Sequence, residues 1–203
     1  MNIWFATNNS HKKKELEAIL GMKLKIPSES GIDFNPEETG NTFMENALLK
    51  AKELKKYLTG NDNFVIADDS GLCVDSLGGR PGVFSARYGE TDGIKITDRR
   101  KNLLLLDELK DSKNRSARFV CAMVLLIDND RFFIAQETLE GEIVKNSALI
   151  RGEGGFGYDP IFLIPSEYRT LAEFSGEEKN LVSHRGKAGK IILEIIKNVS
   201  FKF

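Results

Sequence analysis

The chain has 203 residues, of which 41% are hydrophobic and 29% charged, and its formal net charge is −1. These values fit one soluble globular domain over residues 1–203 and exclude a global positive field that would recruit nucleic acid or an anionic membrane. Two cysteines without Cys-x-x-Cys spacing predict free thiols in a reducing compartment. The N-terminus has no signal-peptide layout and no apolar run could cross a bilayer as a helix, so we expect a cytoplasmic protein.

Hydrophobic periodicity and capping signals predict alternating strands and helices along the chain. The predicted elements are a strand over Ile3–Thr7, a helix over Lys12–Leu20 closed by Gly21, a helix opened by the capping box Thr42-x-x-Glu45 and running to Leu58, a strand over Phe64–Ala67, a helix from Thr97 or Asp98 to Leu109, an antiparallel pair over Ala117–Ile127 and Phe132–Glu137, a short strand over Asp159–Ile164 and a helix over Lys187–Val199. This order predicts an α/β fold on a mixed central sheet flanked by helices.

The predicted strand at Phe64 ends on two adjacent carboxylates, Asp68 and Asp69, followed by Ser70 and Gly71. Charge at the end of a strand lies where open α/β sheets bind ligands. Adjacent residues on a strand point to opposite faces, so one carboxylate can face a metal or water while the other accepts backbone hydrogen bonds. A solvated turn is an equally good interpretation of these residues taken alone, because Asp, Ser and Gly are turn formers.

The turn Thr7-Asn8-Asn9-Ser10-His11-Lys12 joins the first strand to the first helix. Free N–H groups at a helix N-terminus attract anions, and Lys12 adds a full charge. Asn8 and Asn9 tolerate left-handed backbone, which would allow a sharp turn. Simple capping by Ser10, with the side chains of His11 and Lys12 in solvent, is the plainer alternative.

Two further segments carry groups suited to binding. Glu38 precedes the second helix and Lys50 lies within it, although such a pair is usually an ordinary surface pair. Residues 152–160 contain a literal G-x-G-x-x-G, but no helix follows directly, so this is not a dinucleotide fingerprint. Its glycines beside Phe156 and Tyr158 suit a flat aromatic ligand, and a bulged hairpin loop with core aromatics is the alternative.

The segment 177–187 precedes and opens the last predicted helix. Ser183 is a plausible N-cap, which would place His184 and Arg185 in the first turn. Cations are unfavourable at the positive end of a helix unless an anion is nearby, which hints at a ligand. The helix could instead start later and leave both residues in a loop.

The motifs that the sequence lacks narrow the chemistry. It has no G-x-x-x-x-G-K-[ST] motif, too few His and Cys for an ordinary zinc site, and no nucleophile elbow near either histidine. The carboxylates, lysines, one arginine and an aromatic loop that remain suit magnesium-dependent chemistry on a phosphate ester of a ring.

Five segments in order together resemble the inosine triphosphate pyrophosphatase family: FATNNSHK, EETGNTFMENALLKA, ADDSGLCVDSLGGRPGVFSARY, GGFGYDPIF and EEKNLVSHRGKA. The resemblance covers nearly the whole chain. It implies two lobes around a deep substrate cleft, a homodimer, and hydrolysis of dITP, ITP and XTP to the nucleoside monophosphate and pyrophosphate.

The resemblance also implies a role for individual residues. Asp69 matches the general base, and Glu38 with Asp69 matches the Mg²⁺ site, to which Asp68 is added as the adjacent carboxylate. The residues that match contacts to substrate are Thr7, Asn8, Asn9, Ser10, His11, Lys12, Ser70 and Lys179 for the triphosphate and sugar, Lys50 as a further basic residue, and Phe156, Gly157, Tyr158, Asp159, His184 and Arg185 for the base. A donor such as Arg185 would pair with a 6-oxo group and reject a 6-amino group.

Two other functions remain open. A related pyrophosphatase could act on pyrimidine or other modified nucleotides. A non-catalytic nucleotide- or RNA-binding module is a rival of another class, but the near-neutral charge and the Asp68–Asp69 pair argue against it, because carboxylates repel phosphates unless a cation intervenes.

Overall fold

A computed structural model describes residues 2–60 and 62–200. Its regular elements follow one another as strands β1–β6 and helices α1–α5. They are β1 (Asn2–Phe5), α1 (Ser10–Leu20), α2 (Phe43–Lys55), β2 (Asn63–Val74), α3 (Asp98–Glu108), β3 (Ser116–Leu126), β4 (Phe132–Ile143), β5 (Phe162–Ile164), β6 (Arg169–Thr170), α4 (Gly176–Val182) and α5 (His184–Ser200).

The six strands form one sheet in the order β1-β2-β3-β4-β5-β6. Strands β1 and β2 are parallel, with Ile3 opposite Phe64, whereas β4 and β5 are antiparallel. A sheet with both kinds of pairing is mixed, so the predicted mixed α/β fold is confirmed.

The predicted helix starts follow local capping chemistry. Thr42 Oγ1 accepts a hydrogen bond from the Glu45 N–H, and the Thr42 N–H donates to Glu45 Oε2, which is the expected capping box. Thr97 caps α3. At the end of α1, Gly21 takes a left-handed conformation with φ 65°, which costs glycine little.

Strand β2 differs most from its prediction. It does not end at Ala67 but continues through Asp68, Asp69 and Ser70 to Val74. Because β2 lies between β1 and β3, ladder hydrogen bonds and burial on both faces override the turn preference of Asp, Ser and Gly. The two carboxylates therefore lie within a central strand, and the interpretation as a solvated turn is wrong.

Other boundaries shift for local reasons. Helix α2 ends at Lys55, and the next residues close tighter i→i−3 turns. Asp159–Ile161 forms a 3₁₀ turn ahead of β5, because Pro160 favours a turn. Helix α5 begins at His184, three residues earlier than predicted, and α4 was not predicted at all.

The chain divides into two compact units, each with its own hydrophobic core. The first unit comprises residues 1–70, 121–137 and 183–203, and the second comprises residues 71–120 and 138–182. The first core surrounds Phe5, Leu16 and Ile66, and the second surrounds Leu105, Phe119 and Phe162. The assignment of residues 1–203 to a single domain stays a prediction. Within residues 2–60 and 62–200, no helix combines the length and apolar character needed to cross a membrane.

Candidate active site

The first cluster of polar side chains in the first unit is centred on Lys50. Its ammonium lies 2.7 Å from Glu38 Oε1 and 3.0 Å from Asp69 Oδ1. Asn46 donates to the other oxygen, Asp69 Oδ2, at 3.2 Å. Asn46 and Lys50 are four residues apart, so α2 presents both on one face. The structure therefore brings together the two carboxylates expected to hold magnesium.

The Lys50 cluster is buried enough to change the acidity of its members. Burial raises the pKa of Asp69, and the charge of Lys50 only partly opposes it. Burial alone would lower the pKa of Lys50, but the charges of Asp69, Asp68 and Glu38 raise it above its usual value. The cluster thus pairs an ammonium that is harder to deprotonate than that of an ordinary lysine with a carboxylate that is more basic than that of an ordinary aspartate.

A second cluster lies around Asp68, also in the first unit. Lys12 Nζ is 3.1 Å from Asp68 Oδ1, and Arg185 donates from Nε and one terminal nitrogen to Asp68 Oδ2 at 3.1 and 3.0 Å. Arg185 also donates to Glu15 at 2.5 Å and to Ser70 Oγ at 3.0 Å. Burial alone would raise the pKa of Asp68, but the charges of Lys12 and Arg185 hold it well below its usual value.

These contacts change what is expected of Asp68 and Arg185. Both oxygens of Asp68 accept from cations, so this carboxylate is a counter-charge for Lys12 and Arg185, and magnesium binding by Glu38, Asp68 and Asp69 stays a prediction. The Arg185 guanidinium is 1% exposed and holds Asp68. Base recognition by Arg185 stays a prediction, and the geometry shows that this residue has a second task in the fold.

The turn before α1 already uses several of its own N–H groups. Asn9 Oδ1 accepts from the N–H groups of His11 and Lys12, and Thr7 Oγ1 accepts from Asn9 N–H. Capping by Ser10 is therefore wrong, because Asn9 is the cap and Ser10 is the first helical residue. Asn8 does not take a left-handed backbone; its side chain donates to Phe34 O at 2.5 Å. Phosphate binding by this turn stays a prediction. The turn offers a phosphate fewer backbone N–H donors than the sequence indicated, because three of them already bond to Thr7 and Asn9.

The aromatic loop, residues 155–159, lies in the second unit. Asp159 Oδ2 accepts from Phe156 N–H at 2.9 Å and from Lys179 Nζ at 2.8 Å. The same ammonium lies 4.8 Å from the centroid of the Phe156 ring. Gly155 has φ 75°, and a Cβ there would lie 2.1 Å from Asp159 Oδ2. The structure therefore groups Lys179 with the predicted base-binding residues, whereas its predicted contact with triphosphate is untested.

Tyr158 and Gly157 anchor this loop to neighbouring elements. Tyr158 is buried and its hydroxyl donates to Ser85 O at 3.0 Å. Gly157 N–H donates to Asp98 Oδ2 at 3.0 Å, and Asn102 Nδ2 donates to Gly157 O at 3.1 Å. Sequence reasoning missed Asp98 and Asn102 as partners of the loop, since only their spacing of four in α3 hints at a shared face.

At the start of α5, Ser183 is the predicted N-cap. Its Oγ accepts from Gly186 N–H at 3.0 Å, which confirms the capping and places His184 and Arg185 in the first turn. His184 is buried rather than solvated. Arg185 forms ion pairs with Asp68, which is buried, and with Glu15, which explains how a cation is tolerated at this end of a helix.

Comparison with known proteins places this chain in a family. The sequence model of the Ham1 family matches residues 3–195. A dITP/XTP pyrophosphatase from Treponema denticola is 47% identical over 198 residues, covering 97% of this chain and 99% of that protein. One from Escherichia coli O157:H7 is 44% identical over 200 residues, covering 95% and 96%.

Solved structures agree with this assignment. The Ham1 protein of Staphylococcus aureus superposes with a TM-score of 0.84 at 37% identity, and the HAM1 protein of Coxiella burnetii with 0.85 at 36%. Each comparison covers 98% of this chain and 99% of the other. The resemblance found in the five sequence segments is thus confirmed, and the chain belongs to the Ham1 family.

Proposed function

We propose that this protein hydrolyses dITP, ITP and XTP to the nucleoside monophosphate and pyrophosphate, with Mg²⁺ as cofactor and Asp69 as general base. The observation that carries the proposal is the contact of Lys50 with both Glu38 and Asp69. Two carboxylates gathered on one cation are what a divalent ion needs when substrate phosphates complete its coordination. The names of the relatives supply the substrate class.

Glu38 and Asp69 fit a magnesium ion by their chemistry, since Mg²⁺ prefers hard oxygen ligands and is often held by one or two carboxylates. Within residues 2–60 and 62–200, no group of three or more His, Cys, Asp or Glu side chains is arranged to hold a metal. A site of two carboxylates therefore relies on substrate oxygens. When bound, the ion would neutralise phosphate charge.

Asp69 is suited to accept the proton of the attacking water. An ordinary aspartate is a weak base, and burial raises the pKa of this one. Asn46 and Lys50 fix its two oxygens. Lys50, charged in this setting, would also stabilise negative charge that develops on the leaving pyrophosphate.

The aromatic loop is proposed to bind the purine. Phe156 is 39% exposed, so its ring offers a face on which a base can stack. Lys179 Nζ lies 4.8 Å from the centroid of that ring and forms an ion pair with Asp159. A donor aimed at a 6-oxo group would reject a 6-amino group, which would disfavour ATP.

The experiment is a substrate panel of dITP, XTP, dGTP, ATP and a pyrimidine triphosphate, with separate detection of pyrophosphate and orthophosphate, with and without Mg²⁺. The proposal expects pyrophosphate from dITP and XTP only when Mg²⁺ is present. Preferential turnover of the pyrimidine nucleotide would favour the alternative substrate class. Binding of dITP without turnover would favour the non-catalytic module.

The metal ligands have a test that does not depend on turnover. Glu38 and Glu37 are neighbours, but Glu37 is exposed and serves as the matched control. Mg²⁺ should raise the Tm of the wild type and of Glu37→Gln, because it binds the folded state. The rise should be lost in Glu38→Gln. An equal rise in both variants would contradict the assignment of Glu38.

We further propose that the protein is a homodimer, is located in the cytoplasm and has no nucleic-acid partner. The sequence, or its resemblance to the pyrophosphatase family, predicts all three. Light scattering on the purified protein measures the first directly. A monomeric mass at micromolar concentration would contradict it.

A further inference from the structure

Two side chains of α3 form hydrogen bonds to the backbone of one residue of the aromatic loop, Gly157. Gly157 N–H donates to Asp98 Oδ2 at 3.0 Å, and Asn102 Nδ2 donates to Gly157 O at 3.1 Å. Asp98 and Asn102 are four residues apart and therefore lie on the same face of the helix. The N–H and C=O groups of one residue are thus held from the same side.

The residues on either side of Gly157 are tied down by other contacts. Phe156 N–H is bonded to Asp159, and the Tyr158 hydroxyl is bonded to Ser85 O. Gly157 has φ 64°, and nothing lies within 4 Å of where its Cβ would be. The backbone angles φ and ψ of a glycine without close neighbours are weakly restricted. The hydrogen bonds from α3 therefore restrict the backbone conformation of Gly157, the residue next to Phe156.

Asn102 is a poor choice for stability alone. It is 4% exposed, and its Oδ1 accepts no hydrogen bond from any residue in the described ranges 2–60 and 62–200. A buried acceptor without a donor destabilises a fold, and an apolar side chain of the same size would avoid that cost. What Asn102 adds is the donor to Gly157 O.

We propose that Asp98 and Asn102 are positioning residues that fix the backbone of Gly157 on both sides of its Cα and thereby orient the Phe156 ring for the purine base. The inference rests on the proposed function, because it assigns base binding to the aromatic loop. It predicts an effect on the KM of nucleotides and none on ligands without a base.

The test compares Asp98→Ala with Asp98→Asn. Alanine removes the acceptor, whereas asparagine loses the charge but keeps an oxygen for Gly157 N–H. Asp107→Ala is the matched control, since Asp107 is an exposed aspartate on the same helix and forms an ion pair with Lys110. The KM for dITP should rise about 3- to 10-fold in Asp98→Ala, with kcat within 2-fold of wild type, and Asp98→Asn should restore it.

Two further measurements separate positioning from a general loss of structure. The inhibition constant of inorganic tripolyphosphate, which has no base, should be unchanged in Asp98→Ala. Asn102→Leu should raise the KM by a similar factor while its Tm stays equal to or above that of the wild type. A parallel rise of KM and inhibition constant, or a KM rise that only follows lost stability, would overturn the inference.

Amide hydrogen exchange tests, without any substrate, whether α3 restrains the backbone of Gly157. Exchange at Phe156–Tyr158 should accelerate in Asp98→Ala and return to wild-type protection in Asp98→Asn. Unchanged exchange in Asp98→Ala would overturn the inference whatever the enzyme's substrate. Wild-type protein that fails to hydrolyse dITP would instead refute the proposed function, and the exchange result would still decide whether α3 holds the loop.

Discussion

Asp68 and Asp69 are adjacent on β2, yet their carboxyl groups bond to two different sets of partners. Asp68 accepts from Lys12 and Arg185, whereas Asp69 accepts from Lys50 and Asn46. Alternation of side chains along a strand accounts for the separation. The pKa of Asp68 is lowered and that of Asp69 is raised. Neighbouring carboxyl groups whose pKa values are shifted in opposite directions typically have different roles in a site.

Replacing Asp69 by asparagine should abolish most activity and leave the fold intact. We expect kcat for dITP to fall at least about 100-fold, the usual scale for a lost general base. The buried Lys50 loses one of its two carboxylate partners but keeps Glu38, so Tm should fall while the protein stays folded. Asp33→Asn, at an exposed aspartate, is the control. Full turnover by Asp69→Asn would refute the assignment.

Replacing Asp68 by asparagine should have the opposite effect, on stability. Its loss leaves the buried Arg185 and Lys12 short of a counter-charge, which costs about 3–5 kcal/mol. The folded-state pKa is below the unfolded value, so the stabilisation is present above the unfolded pKa of about 4 and is lost as pH falls through the folded value. Urea unfolding of both proteins should give a stability gap that is largest at pH 7 and shrinks on acidification. A gap that grows with acid would contradict this reasoning.

Lys50→Met should make the protein depend on divalent cations for stability. Without the ammonium, Glu38 and Asp69 face each other uncompensated, and breaking a buried ion pair costs about 3–5 kcal/mol. Mg²⁺ should recover part of that loss, so the Tm increase caused by Mg²⁺ should be larger than in the wild type. Lys52→Met, an exposed lysine of the same helix, should respond like the wild type. Equal responses in all three proteins would argue against a metal at these carboxylates.

Arg185→Ala is expected to lower the free energy of unfolding by about 3–5 kcal/mol, because it removes the ion-pair partner that Asp68 and Glu15 share. Arg185→Lys keeps the charge but cannot donate from two nitrogens at once, so its loss should be smaller. Arg99→Ala, at an exposed arginine, is the control.

The ratio of kcat/KM for ITP and ATP, measured on folded Arg185→Lys, then tests the sequence-based role. A lower ratio supports base reading by Arg185. An unchanged ratio with lower stability assigns it to the Asp68 cluster alone.

Much of the fold could be predicted from local signals. The capping box at Thr42, the Thr97 cap, Gly21 and the Ser183 cap all act within a few residues, and the structure confirms each. The end of β2 could not be predicted in the same way. Its length depends on packing within the sheet, where β2 lies between β1 and β3 and buries Asp68 and Asp69.

The candidate site shows the same limit. The resemblance predicted that Glu38 and Asp69 lie together, and in the structure both contact Lys50, which was expected only to be a further basic residue. The sequence could not indicate that Arg185 would bond to Asp68, 117 positions earlier in the chain, or that Asp98 and Asn102 would hold Gly157. Such pairings depend on tertiary packing, and no local pattern encodes them.

The two glycines of the aromatic loop provide a matched pair for the last prediction. Gly155 and Gly157 both have positive φ, 75° and 64°, so alanine at either position carries similar backbone strain. Only at Gly155 would the new Cβ meet an atom, Asp159 Oδ2 at 2.1 Å, and Asp159 is the residue that bonds to Phe156 N–H and Lys179. Gly155→Ala must therefore displace Asp159, whereas Gly157→Ala need not. We expect Gly155→Ala to raise the KM for dITP at least about 10-fold more than Gly157→Ala, the scale of a lost charge-assisted hydrogen bond. Similar KM values for both variants would mean that backbone strain alone matters and that the position of Asp159 does not set base binding.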